Sequence, residues 1–269
     1  MSEIRGRTVL ITGGASGIGR LTGRLLLERG AARLVIWDVQ EALLREAVQE
    51  LAAPGHQVTG FTVDLVDAGQ IQGAVQEMQA RGIEVDILVN NAGIIVGRPF
   101  AEHTAADITR TMDINANAPM LLTLALLPGM LARRSGHVVN IASAAGLVSN
   151  PRMSVYCASK WAMIGWSDSL RLELERERSG VHVTTVTPYY ISTGMFAGVR
   201  SRVIPVVKPE TAARAIVRGI ESDALFVRMP WIVNLLPLVR GLLPTRWFDR
   251  IVGDLMGVYH TMTGFRGRP

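Results

Sequence analysis

A single cysteine, Cys157, stands among 269 residues. That excludes a disulfide framework and a cysteine-ligated zinc site. Five histidines, at positions 56, 103, 137, 182 and 260, fall at no metal-ligand spacing, so no metal centre is expected. Charged residues are sparse at 19% against 48% hydrophobic, which excludes a disordered, solvating chain. Lysine is scarcer still: of 28 basic residues only Lys160 and Lys208 are lysines. No fixed-period repeat, low-complexity stretch or linker divides the sequence. The first apolar run, residues 8–12, is too short for a signal-peptide core or a spanning helix. The expected location is therefore cytoplasmic.

The basic excess is uneven. Residues 1–195 hold 17 basic and 18 acidic residues, whereas residues 196–269 hold 11 and 5. Nucleic-acid binding has no motif behind it, and the surplus belongs to the last quarter of the chain. Short β-branched runs recur at 9–12, 34–37, 58–63, 87–89, 137–141, 183–186 and 224–227. Helical patterns follow at 17–29, 41–52, 68–81, 108–133, 154–178 and 210–220. Apolar runs without polar alternation suit strands covered on both faces. Strand–helix repetition then gives an α/β fold, a Rossmann-type doubly wound parallel sheet of about seven strands. We expect residues 1–228 to form a dinucleotide-binding body and residues 229–269 an apolar extension of the same domain.

The first strand runs into Thr12-Gly13-Gly14-Ala15-Ser16-Gly17-Ile18-Gly19. Glycines between a strand and a helix permit the tight turn and close backbone approach that a pyrophosphate needs, and the helix offers its free N–H groups. The cofactor candidates here are Thr12, Gly13, Ser16, Gly17, Ile18 and Gly19. The second strand ends at Asp38, about 20 residues on, where a carboxylate accepts ribose hydroxyls and repels a 2′-phosphate. No arginine directly follows it, which favours NAD over NADP. Asp38 also fits the cap of the next helix. Asp64, followed by Leu65, is either an adenine contact or a helix cap.

Tyr156 and Lys160 lie four residues apart at the start of a helical pattern, so both side chains reach one pocket. A free phenol titrates near 10 and is a poor base at neutral pH; a neighbouring ammonium and a positive nicotinamide favour the phenolate. Ser143 follows a buried strand, where its hydroxyl either holds a carbonyl or alkoxide oxygen or caps a turn. Cys157 reads as a small buried thiol or a redox sensor.

From about residue 5 to 227 the chain resembles the short-chain dehydrogenase/reductase family. The motifs that carry the likeness are the glycine loop, Asn90-Asn91-Ala92-Gly93, Asn115, Ser143, and Tyr156 with Lys160. The resemblance implies a catalytic set of Asn115, Ser143, Tyr156 and Lys160, with Asn115 holding a water in the proton relay. It implies cofactor contacts from Asn91, Ala92 and Gly93, and from Pro188, Ile191 and Thr193 after the sixth strand. Homodimers or homotetramers through the two long helices are implied in the same way. One departure stands out: where the family often has Pro-Gly, this chain has Pro188-Tyr189, so Tyr189 joins Ser143 and Met195 as a candidate for the substrate pocket. The Thr193–Phe196 loop and the stretch from 242 to 249 resemble the branch acting on lipophilic substrates, the retinol and 17β-hydroxysteroid dehydrogenases.

Residues 229–244 are apolar, broken by Pro237 and Gly241, and flanked by Arg228, Arg240, Arg246 and Arg250, with Trp231 and Trp247 near the ends. Two readings fit: a lid or oligomer interface, or an element resting on a membrane surface. The function expected is NAD-dependent interconversion of a lipophilic alcohol and its ketone or aldehyde. The alternative is a non-catalytic nucleotide-binding scaffold that meets lipid through its basic tail.

Overall fold

The computed structural model describes residues 3–52 and 56–267. Met1 and Ser2 at the head, and Arg268 and Pro269 at the tail, lie outside the described residues. Seven strands form one parallel sheet: β1 (Thr8–Thr12), β2 (Arg33–Asp38), β3 (Gln57–Thr62), β4 (Ile87–Asn90), β5 (Gly136–Ile141), β6 (Val181–Pro188) and β7 (Phe226–Met229). Their order is β3-β2-β1-β4-β5-β6-β7. The chain winds outward one way from β1 and then the other way from β4. This reversal leaves a crevice beyond the strand ends between β1 and β4, the place where α/β sheets bind ligands.

Alternation along the strands decides the layers. Val9 and Ile11 face one side with Leu34, Ile36 and Val139; there they meet α1 (Gly17–Glu28), α2 (Glu41–Leu51) and α7 (Pro209–Glu221). Leu10, Val35, Leu88 and Val138 face the other side, against α3 (Ala68–Ala80), α5 (Ala118–Arg133) and α6 (Ser154–Arg176). Both faces are covered, so the strands carry no polar face of their own. A third cluster caps the sheet's end, joining Tyr156, Tyr189 and Tyr190 to Leu236, Phe248, Val252 and Val258 of the C-terminal segment.

Three expectations shift. The helix expected at 108–133 is α4 (Ala105–Met112), a π-helical turn (Asp113–Asn117) and then α5. The π turn buries Ile114, Asn115 and Ala116 together, and such bulges often mark functional sites. The last strand begins at Phe226, because the chain first turns through Asp223 at φ 50° and the Ala224 N–H bonds back to Gly219. Neither Asp38 nor Asp64 caps a helix. Gln40 precedes α2, and Asp67 caps α3 by accepting from Gly69 and Gln70 N–H at 2.8 and 3.2 Å.

The stretch Ala105–Arg133 is long and apolar enough to cross a membrane by length and composition. Ala118, Leu122 and Met130 are nonetheless buried with the sheet, as in the core helix of a globular domain. The C-terminal segment continues from β7 through a 3₁₀ turn (Trp231–Leu235), α8 (Leu236–Leu242), α9 (Thr245–Phe248) and a π-helical turn (Asp249–Leu255). Short pieces are expected where prolines 230, 237 and 244 each open a new turn.

His137 lies at the opposite end of the sheet from the crevice, buried on β5. The Thr184 hydroxyl donates to the Ala224 carbonyl at 2.7 Å. The imidazole therefore donates to Thr184 from Nε2, at 2.8 Å. Burial holds this histidine neutral and brings its pKa down to about 4. Its ordinary value is near 6.5, so the unfolded chain binds the proton first as pH falls. Stability from this site is complete above about pH 6.5 and lost towards pH 4, by up to about 3 kcal/mol. Urea unfolding at pH 7 and pH 4.5 should show a smaller acid loss for His137→Gln than for the wild type. Equal acid losses would contradict the buried neutral imidazole.

Candidate active site

The glycine loop between β1 and α1 forms one wall of the crevice. Gly13 and Gly17 take φ of 62° and 57°, the left-handed region that favours glycine. A Cβ on Gly19 would sit 2.5 Å from the Gly13 carbonyl, so this position also needs a bare Cα. Thr12 lies behind the wall: its buried hydroxyl accepts from the N–H groups of Asn91 and Ala92 at 3.0 and 3.1 Å. Asn91 Nδ2 returns bonds to the carbonyls of Thr12 and Gly13 at 2.9 and 3.1 Å. This stitch fixes the loop after β4 against the glycine loop at the switch point.

Ser16 precedes α1 in extended conformation, without a side-chain cap bond and with no acid in the first turn. The first N–H groups of α1 are thus left for an anion, with the helix dipole behind them. Gly13, Ser16, Gly17 and Ile18 line the cleft. Asp38 borders it and is oriented by the N–H groups of Ala15 and Gln40, each at 3.1 Å. Asp64 and Leu65 line it as well; Asp64 accepts from Val66 N–H at 3.1 Å. An uncapped helix start, bare glycines and a fixed carboxylate fit a dinucleotide's pyrophosphate and adenosine ribose.

The other half of the cleft gathers Asn91, Ala92, Gly93, Ser143, Tyr156, Lys160, Pro188, Tyr189, Ile191, Thr193 and Met195. Gly19 and Asn115, like Thr12, are not among its lining residues. Asn115 is fully buried in the π turn. Its Oδ1 accepts from Ile94 N–H at 2.8 Å, and its Nδ2 donates to the Ile94 carbonyl and Ser159 Oγ at 2.9 and 3.0 Å. The side chain is committed within the protein and fixes Ile94 on the cleft wall. Its link to α6 runs through Ser159, whose hydroxyl donates to the Tyr156 carbonyl at 2.7 Å.

Tyr156 and Lys160 stand one turn apart on α6, the amine 5.7 Å from the phenol ring centre. Lys160 is buried, and its Nζ donates to the Ile141 carbonyl at 2.9 Å. An ammonium has three donors, and only that acceptor meets it among the described residues. Burial lowers the Lys160 pKa to about 8. Burial also pushes Tyr156 well above the usual phenol value, partly offset by a hydrogen bond from Ser143. The phenolate expected beside Lys160 is therefore not stabilised by the polypeptide alone. Desolvation outweighs the single neutral partner that each group has. Ser143 Oγ accepts from Ala145 N–H at 3.1 Å, which aims it beside Tyr156.

Tyr189 packs edge-on against Tyr190 with ring centres 4.6 Å apart, and its hydroxyl meets Ser201 Oγ at 3.3 Å. It lines the cleft and also a second, small and more apolar cavity. Ser143 and Phe196 line both spaces too. Beyond the residues picked out in the sequence, the cleft includes Trp37, Ile94, Arg110 and Phe196. Ile94 directly follows the Asn-Asn-Ala-Gly motif and was within reach of a sequence reading. Arg110 belongs to the amphipathic pattern of α4 and carries no sequence mark of its own. Cys157 is buried and burial raises its thiol pKa, as for an unreactive core thiol.

The sequence matches the family model described as short chain dehydrogenase over residues 7–203. It is 34% identical to epidermal retinol dehydrogenase 2 of Mus musculus, covering 99% of this chain and 87% of that protein. It is 33% identical to 17-beta-hydroxysteroid dehydrogenase 13 of Mus musculus, covering 87% and 77%. A short chain dehydrogenase/reductase from Burkholderia phymatum, solved with NAD, superposes with a TM-score of 0.79 at 26% identity, covering 94% and 96%. A short-chain dehydrogenase from Sphingobium yanoikuyae, solved with NADPH, gives 0.76 at 28%, covering 97% and 96%.

Proposed function

As this chain belongs to the short chain dehydrogenase family and is an oxidoreductase, we propose that it interconverts a lipophilic alcohol and its ketone or aldehyde, with NAD as the preferred carrier. The observation that carries this reading is the junction of two spaces. A cleft whose polar groups suit a dinucleotide meets a more apolar cavity at Ser143, beside Tyr156 and Lys160. Relatives named for retinol and steroid substrates support a lipophilic body.

When bound, the nicotinamide supplies the hydride acceptor or donor. Everything else is the work of this chain's residues. The uncapped start of α1 binds the pyrophosphate, and Asp38 takes the adenosine ribose hydroxyls. Ser143 holds the reacting oxygen by donating its hydroxyl to the developing alkoxide. Tyr156 gives a proton to that oxygen in reduction and removes it in oxidation. Lys160 turns its unmet N–H donors to the second ribose. Its charge, with that of oxidised nicotinamide, counters the desolvation that otherwise keeps Tyr156 protonated. Pro188, Ile191 and Thr193 border the nicotinamide end, while Tyr189 and Met195 bound the substrate. Thr12, Gly19 and Asn115 act from behind by holding the wall.

The C-terminal segment combines both readings of the tail. Its inner face, Val233, Leu236, Phe248 and Val252, closes over the cavity end of the site. Its outer face exposes Trp231, Leu238, Leu242, Trp247 and Leu255, the last by 81%. Arg246 and Arg250 are exposed there, with no ion pair among the described residues. Apolar side chains interleaved with free cations suit an anionic phospholipid surface. Peripheral contact from the cytoplasmic side follows in this reading. Leu124 of α5 and Leu172 of α6 are also exposed, and they support self-association as a homodimer or homotetramer through those helices.

Three outcomes test the reading. Tyr156→Phe should retain NADH binding within a few-fold and lose turnover of long-chain alcohols by about 10²–10⁴; near-normal turnover would contradict the proton role. Fluorescence titration should show NADH bound more tightly than NADPH, and Asp38→Ser should narrow that gap at least tenfold, whereas tighter NADPH binding in the wild type would refute the part given to Asp38. In sedimentation with vesicles, the protein should pellet with mixed phosphatidylcholine and phosphatidylserine and not with phosphatidylcholine alone. Replacing Trp231, Leu242 and Trp247 by serine should abolish pelleting; an unchanged pellet, or none with the wild type, would sink the lipid contact.

A further inference from the structure

The loop that follows β6 is closed at its base. Ile191 pairs with Val207 in a single parallel bridge. Val207 N–H donates to the Tyr190 carbonyl at 2.8 Å, and Ser192 N–H donates to the Val207 carbonyl at 3.1 Å. Between these ends the loop frames a pocket of about 310 Å³. Ile191, Ala197, Val199 and Val206 form its apolar wall together with Phe196, and no charged side chain lines it among the described residues. Its two polar side chains are already engaged. The Tyr190 hydroxyl meets Asn150 and Thr261, and Ser192 Oγ donates to the Val207 carbonyl at 3.4 Å. The cavity at Ser143 is far smaller, about 30 Å³, which admits a methyl-sized group and not a hydrocarbon body.

Phe196 is the one residue that lines the cleft, the small cavity and the loop pocket alike. Its ring meets Tyr156 edge-on with centres 6.1 Å apart, and Tyr190 edge-on at 5.0 Å. One side of Phe196 therefore faces the catalytic phenol, and the loop pocket begins at the same residue. The ring is only partly buried. On its near side Gly194 takes φ of 87°, and a Cβ built there would meet nothing within 4 Å. On its far side Arg266 N–H anchors the Ala197 carbonyl at 2.9 Å. We propose that Phe196 is a specificity-determining residue: it partitions the reacting centre from the loop pocket, and the substrate's hydrocarbon chain passes beside its ring into that pocket. The substrate class is then an alcohol, or its carbonyl partner, with one long uncharged chain and a second substituent no larger than the cavity at Ser143 admits. This rests on the alcohol–carbonyl reading above. An apolar wall without a cation favours methylene groups and gives a carboxylate or phosphate nothing to replace its water.

The test compares hexan-1-ol with decan-1-ol. Two readouts are taken: steady-state kinetics with NAD, and calorimetric binding to the enzyme–NADH complex. The quantity followed is the advantage of decanol over hexanol in KM and in dissociation constant, so a general change in the enzyme cancels. Phe196→Leu widens the passage and should raise that advantage by about fivefold or more, the worth of one to two buried methylenes. Phe196→Trp should lower it by as much. Val206 does not line the cleft, and it is 41% exposed. Val206→Phe fills the pocket from the solvent side; it should lower the advantage about fivefold alone and cancel the gain in Phe196→Leu. An advantage unmoved by Val206→Phe overturns the proposal. So does an equal change for both alcohols in Phe196→Leu, the result of a ring that only packs against Tyr156. Val206→Phe stands alone as the test should the Phe196 variants fail to fold. Turnover with an unmoved advantage removes this inference and leaves the alcohol–carbonyl reading. A shifted advantage in binding, without turnover of either alcohol, does the reverse, and absence of both removes the two together.

Discussion

The site depends on one buried amine with too few partners. Lys160 Nζ is enclosed at the junction of α6, β5 and the loop after β4, and its protein acceptor is the Ile141 carbonyl. Enclosing a cation at the expense of its hydration is unfavourable unless other groups replace the water. The fall of its pKa to about 8 reports that imbalance. Gly93 presses close, since a Cβ there would come within 3.7 Å of Nζ. Tyr156 suffers the opposite shift from the same cause, because burial disfavours the phenolate. Tyr156 is thus held away from its working ionisation, and the Lys160 ammonium is made easier to deprotonate, until oxygens and charge arrive in the cleft. In the proposed function a dinucleotide supplies them, so binding and activation become one event.

That arrangement demands rigidity around it. Asn90 and Asn140 join β4 to β5 through a side-chain bond at 2.8 Å, and Asn140 donates to Ser167 of α6 at the same distance. Asn115 holds Ile94 and reaches α6 through Ser159. A chain of paired amides therefore runs beneath the cleft from the sheet to the helix that bears Tyr156 and Lys160. Paired networks of this kind specify one arrangement, although here Asn90 Oδ1 is left without a partner among the described residues.

The layered fold was legible because its signals are local. Strands such as 9–12 and 137–141 are short apolar runs, and the glycine loop and the Tyr156–Lys160 spacing each fall within one turn of chain. The same locality placed Asp38 and Asp64 at strand ends, although Gln40 and Asp67 precede the helices. The break at Asp113–Asn117 has no mark in the sequence, since a π turn adds a residue to the helix without glycine or a change in composition. The ionisation of the site was also hidden. Spacing says that Lys160 lies near Tyr156, but the desolvation that dominates both depends on β5, the loop after β6 and the C-terminal cluster. The charge asymmetry between body and tail was visible from counting; the split of that tail into a buried inner face and an exposed outer face required the fold.

The coupling of Lys160 to Tyr156 is tested most directly by the pH dependence of kcat/KM for alcohol oxidation, in the wild type and in Lys160→Met. Oxidation needs the phenolate, so the rate should climb with pH until the group is ionised. Removing the ammonium should move that rise upward by at least one pH unit, with Lys160→Arg falling between the two. An unshifted rise in Lys160→Met, accompanied only by weaker NAD binding, would contradict the account and reduce Lys160 to a ribose contact.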